Sequence, residues 1–300
     1  MKKKNNKIEI NKVIHFLKKD LPVFYTQTEK FDKNEGKKLS STWADYIRLN
    51  LEHGPLDMNG IKEFMQSLKK YNKDKKNFIY STVIAELPFR VDSKNNVDAN
   101  AWIINQLLAC GIHGFLLCHA ESHEGVLRVA QHMTYAFNKF RFKSKSFEGL
   151  RGHGGQKSGA EMWGLDETTY LDKASIWPLF KSGELLLGVK IENLKAFKNY
   201  KKVLSVPGIS FAEWGPGDMG MALGYREKHD PPYPKKMLYI KKQIQKECKK
   251  KSIYFLNAVY SKKEMLTNLD EGVKFMRIPD SDKAGLLANF GRKKWLKQSN

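Results

Sequence analysis

Leu185-Leu186-Leu187-Gly188-Val189-Lys190-Ile191-Glu192 is a short apolar run that ends on charge, and Ile209-Ser210-Phe211-Ala212-Glu213-Trp214-Gly215 repeats that form. Between them, residues 195–204 carry apolar side chains at helical spacing. A strand, a helix and a second strand in that order make a parallel pair joined by a crossover.

The same alternation extends in both directions. Strands are predicted at 21–26, 43–51, 78–87, 114–119, 185–192, 209–215, 253–259 and 273–278, with helices around 57–70, 99–109, 124–137, 195–204 and 235–250 and a long Gly-rich excursion at 148–165. Eight strands separated by helical or loop material in a chain of 300 residues have the number and size of a (β/α)8 TIM barrel, an α/β fold. An open doubly wound sheet would carry a Gly-rich first crossover, and no GxGxxG follows the first strand. With no internal repeat or linker, residues 21–300 are expected to form a single domain. Residues 1–20 are expected to form a basic lead and a surface helix.

Composition narrows the function. The chain is 41% hydrophobic, with 17 Phe, 12 Tyr and 6 Trp, enough to build a large core and to exclude wholesale disorder. Lys and Arg total 53 against 32 acids, a net charge of +21, but only eight of the 53 are Arg and the lysines are scattered. That distribution fits a solvated lysine-rich surface better than a nucleic-acid footprint, so no nucleic-acid partner is expected. Cys110, Cys118 and Cys248 have no CxxC spacing and an odd count, which suits a reducing compartment. No run approaches the roughly 20 apolar residues of a bilayer span, and the lysine-rich start lacks an apolar h-region. A cytoplasmic protein without a membrane partner is expected.

In such a barrel the reactive groups belong at the strand ends and the loops that follow. Glu192 and Asp218 lie at the same end of consecutive parallel strands, which are spaced about 4.8 Å apart. Their carboxylates can converge on one divalent cation, with Mg2+ the first expectation and Mn2+ or Co2+ possible; alternatively each pairs with a lysine or caps the following helix. His53 follows Glu52 and precedes Gly54-Pro55, and its imidazole could exchange protons near neutral pH or simply make a structural hydrogen bond. Lys190 shares a strand face with Glu192 and could pair with Glu86 or Glu213, polarise a substrate oxygen, or form a Schiff base. Arg151, among the glycines of 149–155, could meet a carboxylate or phosphate. Gly215-Pro216-Gly217 lets a ligand approach the main chain. His119 ends the fourth strand and could line the pocket.

Leu51-Glu52-His53-Gly54-Pro55-Leu56-Asp57, Lys190-Ile191-Glu192-Asn193 with Asn199, and Val206-Pro207-Gly208-Ile209 leading to Gly215-Pro216-Gly217-Asp218-Met219 and Leu223-Gly224 together resemble the HpcH/HpaI aldolase/citrate lyase family over roughly residues 40–260. The resemblance implies a TIM-type barrel, usually a homo-oligomer, performing class II aldol chemistry on pyruvate and an aldehyde with a divalent metal. It implies Glu192 and Asp218 as metal ligands, His53 as general acid/base, and the main chain of Gly215–Asp218 as part of the pyruvate pocket. Two positions depart from the family pattern. Asn50 stands where an Asp often orients the histidine, and Ala85-Glu86-Leu87-Pro88-Phe89-Arg90 has no Arg at the keto-polarising place, leaving Arg90, Arg151 or Lys190 as substitutes. The function so implied is cleavage of a 4-hydroxy-2-oxo acid to pyruvate and an aldehyde. The alternatives are a citryl-CoA-like lyase or thioester hydrolase using the same metal site, and a catalytically silent 2-oxo-acid-binding relative.

Overall fold

The computed structural model describes residues 9–227, 230–279 and 281–298. Its strands are β1 (Val23–Thr28), β2 (Tyr46–Asn50), β3 (Thr82–Glu86), β4 (Gly114–Leu117), β5 (Lys139–Phe142), β6 (Lys145–Glu148), β7 (Ile176–Trp177), β8 (Leu185–Lys190), β9 (Ile209–Glu213), β10 (Tyr254–Ala258) and β11 (Phe275–Arg277). The helices are α1 (Lys12–Lys18), α2 (Lys33–Leu39), α3 (Met58–Tyr71), α4 (Lys94–Ala109), α5 (His123–Met133), α6 (Gln156–Trp163), α7 (Glu167–Lys173), α8 (Leu194–Val203), α9 (Pro216–Ala222), α10 (Lys235–Lys250), α11 (Lys262–Asp270) and α12 (Ala284–Gln298).

The eight strands expected from sequence are the staves of one closed parallel barrel. They run in the order β4-β3-β2-β1-β11-β10-β9-β8, and β4 pairs with β8 to close the ring. This is the (β/α)8 TIM barrel. Every residue of β2, β3, β8 and β9 is buried, the polar ones among them including Arg48, Asn50, Glu86, Lys190 and Glu213. Gly188 is needed inside the ring: a β-carbon there would stand 2.2 Å from Phe211 Cζ. The space admits the Phe211 ring, which stacks on Phe275 with centroids 4.6 Å apart and fills one layer of the interior.

Two features differ from expectation. Residues 12–18 form a helix, as predicted, but not a surface one: Val13, Ile14 and Leu17 are buried against the interior layer that includes Tyr25, Leu186 and Phe275. Asn11 fixes the helix start by accepting from Ile14 N and donating from Nδ2 to Glu184 O at 2.9 Å. The helix therefore stoppers the N-terminal end of the barrel, where its apolar face covers side chains that would otherwise meet water. The basic lead over residues 1–8 lies outside the described residues.

The second difference is the excursion before β8. It contains the antiparallel β5–β6 hairpin, α6, α7 and the two residues of β7, which extend the edge of β8. The glycines of 149–155 disguise α6, whose Trp163 is buried, donates from Nε1 to Gly111 O at 2.9 Å and stacks on His113. Among the described residues, no helix is long and apolar enough to cross a membrane.

Candidate active site

All eight parallel strands end on one side of the barrel, so their last residues and following turns form a common mouth. Glu52 follows β2, Glu86 ends β3, His119 follows β4, Lys190 ends β8, Glu192 follows it by two residues, and Glu213 ends β9. A cavity of about 500 Å³ opens there; His53, Lys190, Glu192, Gly215, Pro216, Gly217 and Asp218 all line it. Seven of the eight site residues expected from sequence thus share one cavity.

The cavity floor is an ion cluster. Lys190 Nζ stands 2.8 Å from Glu52 Oε2, 2.8 Å from Glu86 Oε1 and 2.9 Å from Glu192 Oε2. Arg48 Nη1 lies 3.2 Å from Glu213 Oε2 and 3.5 Å from Glu86 Oε1. Burial opposes the charge on Lys190, but Glu192 and Glu86 overcome it and hold the ammonium well above its ordinary pKa. Burial likewise opposes the Glu52 carboxylate, while hydrogen bonds from His119 and Lys190 hold it well below the usual carboxylate range. Glu52, Glu86, Glu192 and Glu213 make four carboxylates against the two cations Lys190 and Arg48, so the cluster keeps an excess of negative charge.

Glu192 is fully buried, and burial pushes its carboxyl up to about 7 against the pull of Lys190. Its Oε1 accepts from His119 N at 2.6 Å, and that same His119 places Nε2 3.4 Å from Glu52 Oε1. Gly215 makes the enclosure possible. It caps α9 with φ of +49°, and a β-carbon on it would come within 2.3 Å of Glu192 Cβ and 2.8 Å of Glu192 Oε2. Pro216 starts the helix and Asp218 falls in its first turn. The Asp218 carboxylate lines the cavity with no hydrogen bond or ion pair to any described residue.

These residues fit a divalent cation. Glu192 Oε2 is buried with Lys190 Nζ at 2.9 Å as its neighbour, Asp218 is unpaired among the described residues, the donors are hard oxygens, and the surrounding charge is negative. Glu52, His119 and Glu192 also bring one ligand atom each within 4.8 Å of one another. Lys190 holds Glu52 and Glu192 alike, so Asp218 is the cavity carboxylate without a partner among the described residues.

His53 is largely exposed, with Nε2 3.7 Å from Glu52 Oε2. Asn50 does not touch its ring: Asn50 Nδ2 donates to Glu29 Oε1 at 2.7 Å, and Oδ1 lies 3.4 Å from His53 N. The acid that contacts the imidazole is Glu52, its chain neighbour. Arg151 is not at the mouth. Its guanidinium lies 4.3 Å from the Tyr135 ring centroid and donates to Tyr170 Oη at 3.0 Å, which ties the excursion before β8 together. Flanking glycines read as a ligand loop in sequence, whereas the side chain is sequestered by two aromatic rings. Arg90 pairs with Glu121 and lines a neighbouring depression.

Sequence reasoning missed Arg48 and Arg277 as cavity residues and gave Glu52 no role. For Arg48 the signal was present: it is two residues before Asn50 on one strand, and alternate residues share a face.

Comparison with known proteins agrees with this architecture. Residues 36–283 match the HpcH/HpaI aldolase/citrate lyase family. A hydroxypyruvate/pyruvate aldolase of Cupriavidus necator is 24% identical over 188 residues, which are 63% of this chain and 57% of that relative's length. The crystal structure of an HpcH/HpaI aldolase/citrate lyase family protein from Burkholderia cenocepacia superposes with a TM-score of 0.69 at 14% identity, covering 97% of this chain and 100% of the other. The citrate lyase beta subunit of M. tuberculosis, complexed with oxaloacetate and magnesium, gives 0.54 at 11% identity, covering 92% and 97%. With the barrel, its mouth and this match in hand, the chain is a member of the HpcH/HpaI aldolase/citrate lyase family.

Proposed function

We propose that this protein is a metal-dependent carbon–carbon lyase that cleaves a 4-hydroxy-2-oxo acid to pyruvate and an aldehyde. The observation that carries the reading is the pairing of a fully buried Glu192 with an unpartnered Asp218 on a cavity that also contains His53. The named activity of the Cupriavidus relative and the magnesium and oxaloacetate of the M. tuberculosis neighbour support it.

Glu192 and Asp218 would hold a divalent cation, Mg2+ first among the candidates, which when bound supplies Lewis-acid stabilisation of charge on the 2-oxo oxygen worth several kcal/mol. The backbone of Gly215–Gly217 flanks that place and leaves room for the acid's carboxylate. His53 accepts the proton of the 4-hydroxyl, directly or through a water, with Glu52 beside it to balance the imidazolium. The C3–C4 bond then breaks: the C4 oxygen becomes the aldehyde carbonyl, and the bonding pair passes into the enolate of pyruvate. Protonation at C3 completes pyruvate. Lys190 serves by fixing Glu52, Glu86 and Glu192 in place; with three carboxylates on its ammonium it does not offer the neutral amine of a Schiff base.

Exchange of pyruvate methyl protons into deuterated water, followed by NMR with a metal panel, tests this without knowledge of the aldehyde. Metal-dependent exchange in the wild type and its loss in Glu192→Gln are expected. Full exchange after verified metal removal would overturn the reading. Release of an aldehyde in the cleavage direction separates it from thioester chemistry.

A further inference from the structure

A second cavity, of about 790 Å³, lies at the end of the barrel opposite the mouth. Its apolar wall comes from Ile10 just before α1, Phe78 and Ile79 before β3, and Met162, Trp163 and Leu165 at the end of α6. Residues that precede parallel strands gather at the N-terminal end of the ring, here beside the α1 plug. The wall is held in place from behind. Trp163 is buried, stacks on His113 and bonds to Gly111 O, while Phe78 meets Phe16 of α1 edge to face with centroids 5.9 Å apart. A preformed apolar hollow of this size with a few polar groups at its edge is the form of a small-molecule site.

The rim is basic. Lys69, Lys70, Lys75 and Lys173 border the cavity, and Glu161 is the one carboxylate among the residues that line it. That acid leaves most of the charge uncompensated. Lys69 Nζ donates to the main-chain oxygen of Glu161, Lys75 Nζ donates to Lys70 O at 2.7 Å, and Lys173 lies 3.9 Å from Glu184. Burial lowers the Lys69 pKa from its ordinary value in spite of Glu161, as it does for an ammonium stripped of water and short of counter-charge. One negative charge from outside the chain satisfies such a rim. A doubly charged phosphate needs more free ammonium than remains once main-chain oxygens and Glu184 are served. A second copy of this chain, itself at +21, is opposed by its charge.

We propose that this cavity binds a medium-chain fatty-acid anion, with the alkyl chain against Ile79, Met162 and Trp163 and the carboxylate among Lys69, Lys70 and Lys75. The test is calorimetric titration of the full chain with hexanoate, octanoate and decanoate, and with 1-decanol as the neutral counterpart. In the wild type, affinity rises about fourfold per methylene, and decanoate binds at least tenfold more tightly than decanol. Ile79→Glu and, independently, Leu165→Glu put a carboxylate in the cavity, and each weakens decanoate at least tenfold while circular dichroism stays native. Lys69→Gln combined with Lys70→Gln brings the ratio of decanoate to decanol affinity toward one; taken within one variant, that ratio cancels a general loss of folded protein. Absence of decanoate binding in the wild type, equal affinity for decanol, or wild-type decanoate affinity in both glutamate variants overturns the proposal. So does a dimer in sedimentation velocity that Ile79→Glu abolishes and decanoate does not, because a second copy then covers the cavity.

Discussion

Lys190 Nζ lies 2.8 Å from Glu86 Oε1, joining the last residue of β8 to the last residue of β3 inside the barrel. The family resemblance leads one to expect a keto-polarising Arg near the end of β3, and this chain has an acid there. The positive charge is instead supplied by Lys190, with Arg48 on the other side of the same oxygen. Position 86 has thus become part of the scaffold under the cavity, and the cation above it is fully committed to carboxylates.

Replacing Lys190 by Met is expected to leave Glu52, Glu86 and Glu192 without their common counter-charge. Breaking a buried pair by removing one partner costs about 3–5 kcal/mol. The urea midpoint of Lys190→Met should fall accordingly, and adding Glu86→Gln should recover part of the loss, since one uncompensated charge is then removed. An unchanged midpoint in the single variant would mean that the cluster contributes nothing to stability.

Gly215→Ala is expected to injure the site more than the fold. The new methyl group meets the Glu192 side chain, and the backbone there is in the left-handed region, which L residues enter at a cost on the order of 1–3 kcal/mol. Circular dichroism should report an intact barrel, while Mg2+ affinity measured by calorimetry falls at least tenfold. Wild-type affinity in the variant would separate Glu192 from metal binding.

His113 gives the fold a pH dependence far from the mouth. Buried against Trp163 and Tyr80, its ring accepts from Val83 N at Nδ1, and burial lowers its pKa to about 3 from the ordinary 6.5. Between those values the unfolded chain binds the proton and the folded chain does not, so this contribution rises with pH and is complete above 6.5. Stability should therefore decline as pH falls from 6.5 toward 3, by up to about 1.4 kcal/mol per unit from this group. In His113→Asn, whose amide oxygen can still accept from Val83 N, the dependence over pH 4–6.5 should be shallower. Parallel wild-type and variant curves would assign the slope to carboxylates alone.

The barrel was legible because eight short strand-like runs alternate with helical or loop segments, and that alternation leaves few other ways to bury them. The mouth residues His53, Lys190, Glu192 and Asp218 were legible because parallel strands carry their last residues to one side, so position on the chain alone brings them together. The role of Arg151 was not, because its neighbouring glycines say nothing of the two tyrosines that enclose it. Arg277 escaped notice for the opposite reason: what distinguishes it is a place on the cavity wall with no side-chain partner among the described residues, which is a property of the surroundings and not of the residue. The position of α1 depends on the interior cross-section it fills, and that exists only once the ring has closed.

Because Val13, Ile14 and Leu17 cover the far end and side chains such as Phe211 and Phe275 fill the interior, the mouth cavity, among the described residues, opens away from α1. Under the proposed chemistry, traffic is then sequential: the fragment nearer the opening departs first, and pyruvate, seated deeper beside Glu192, waits behind it.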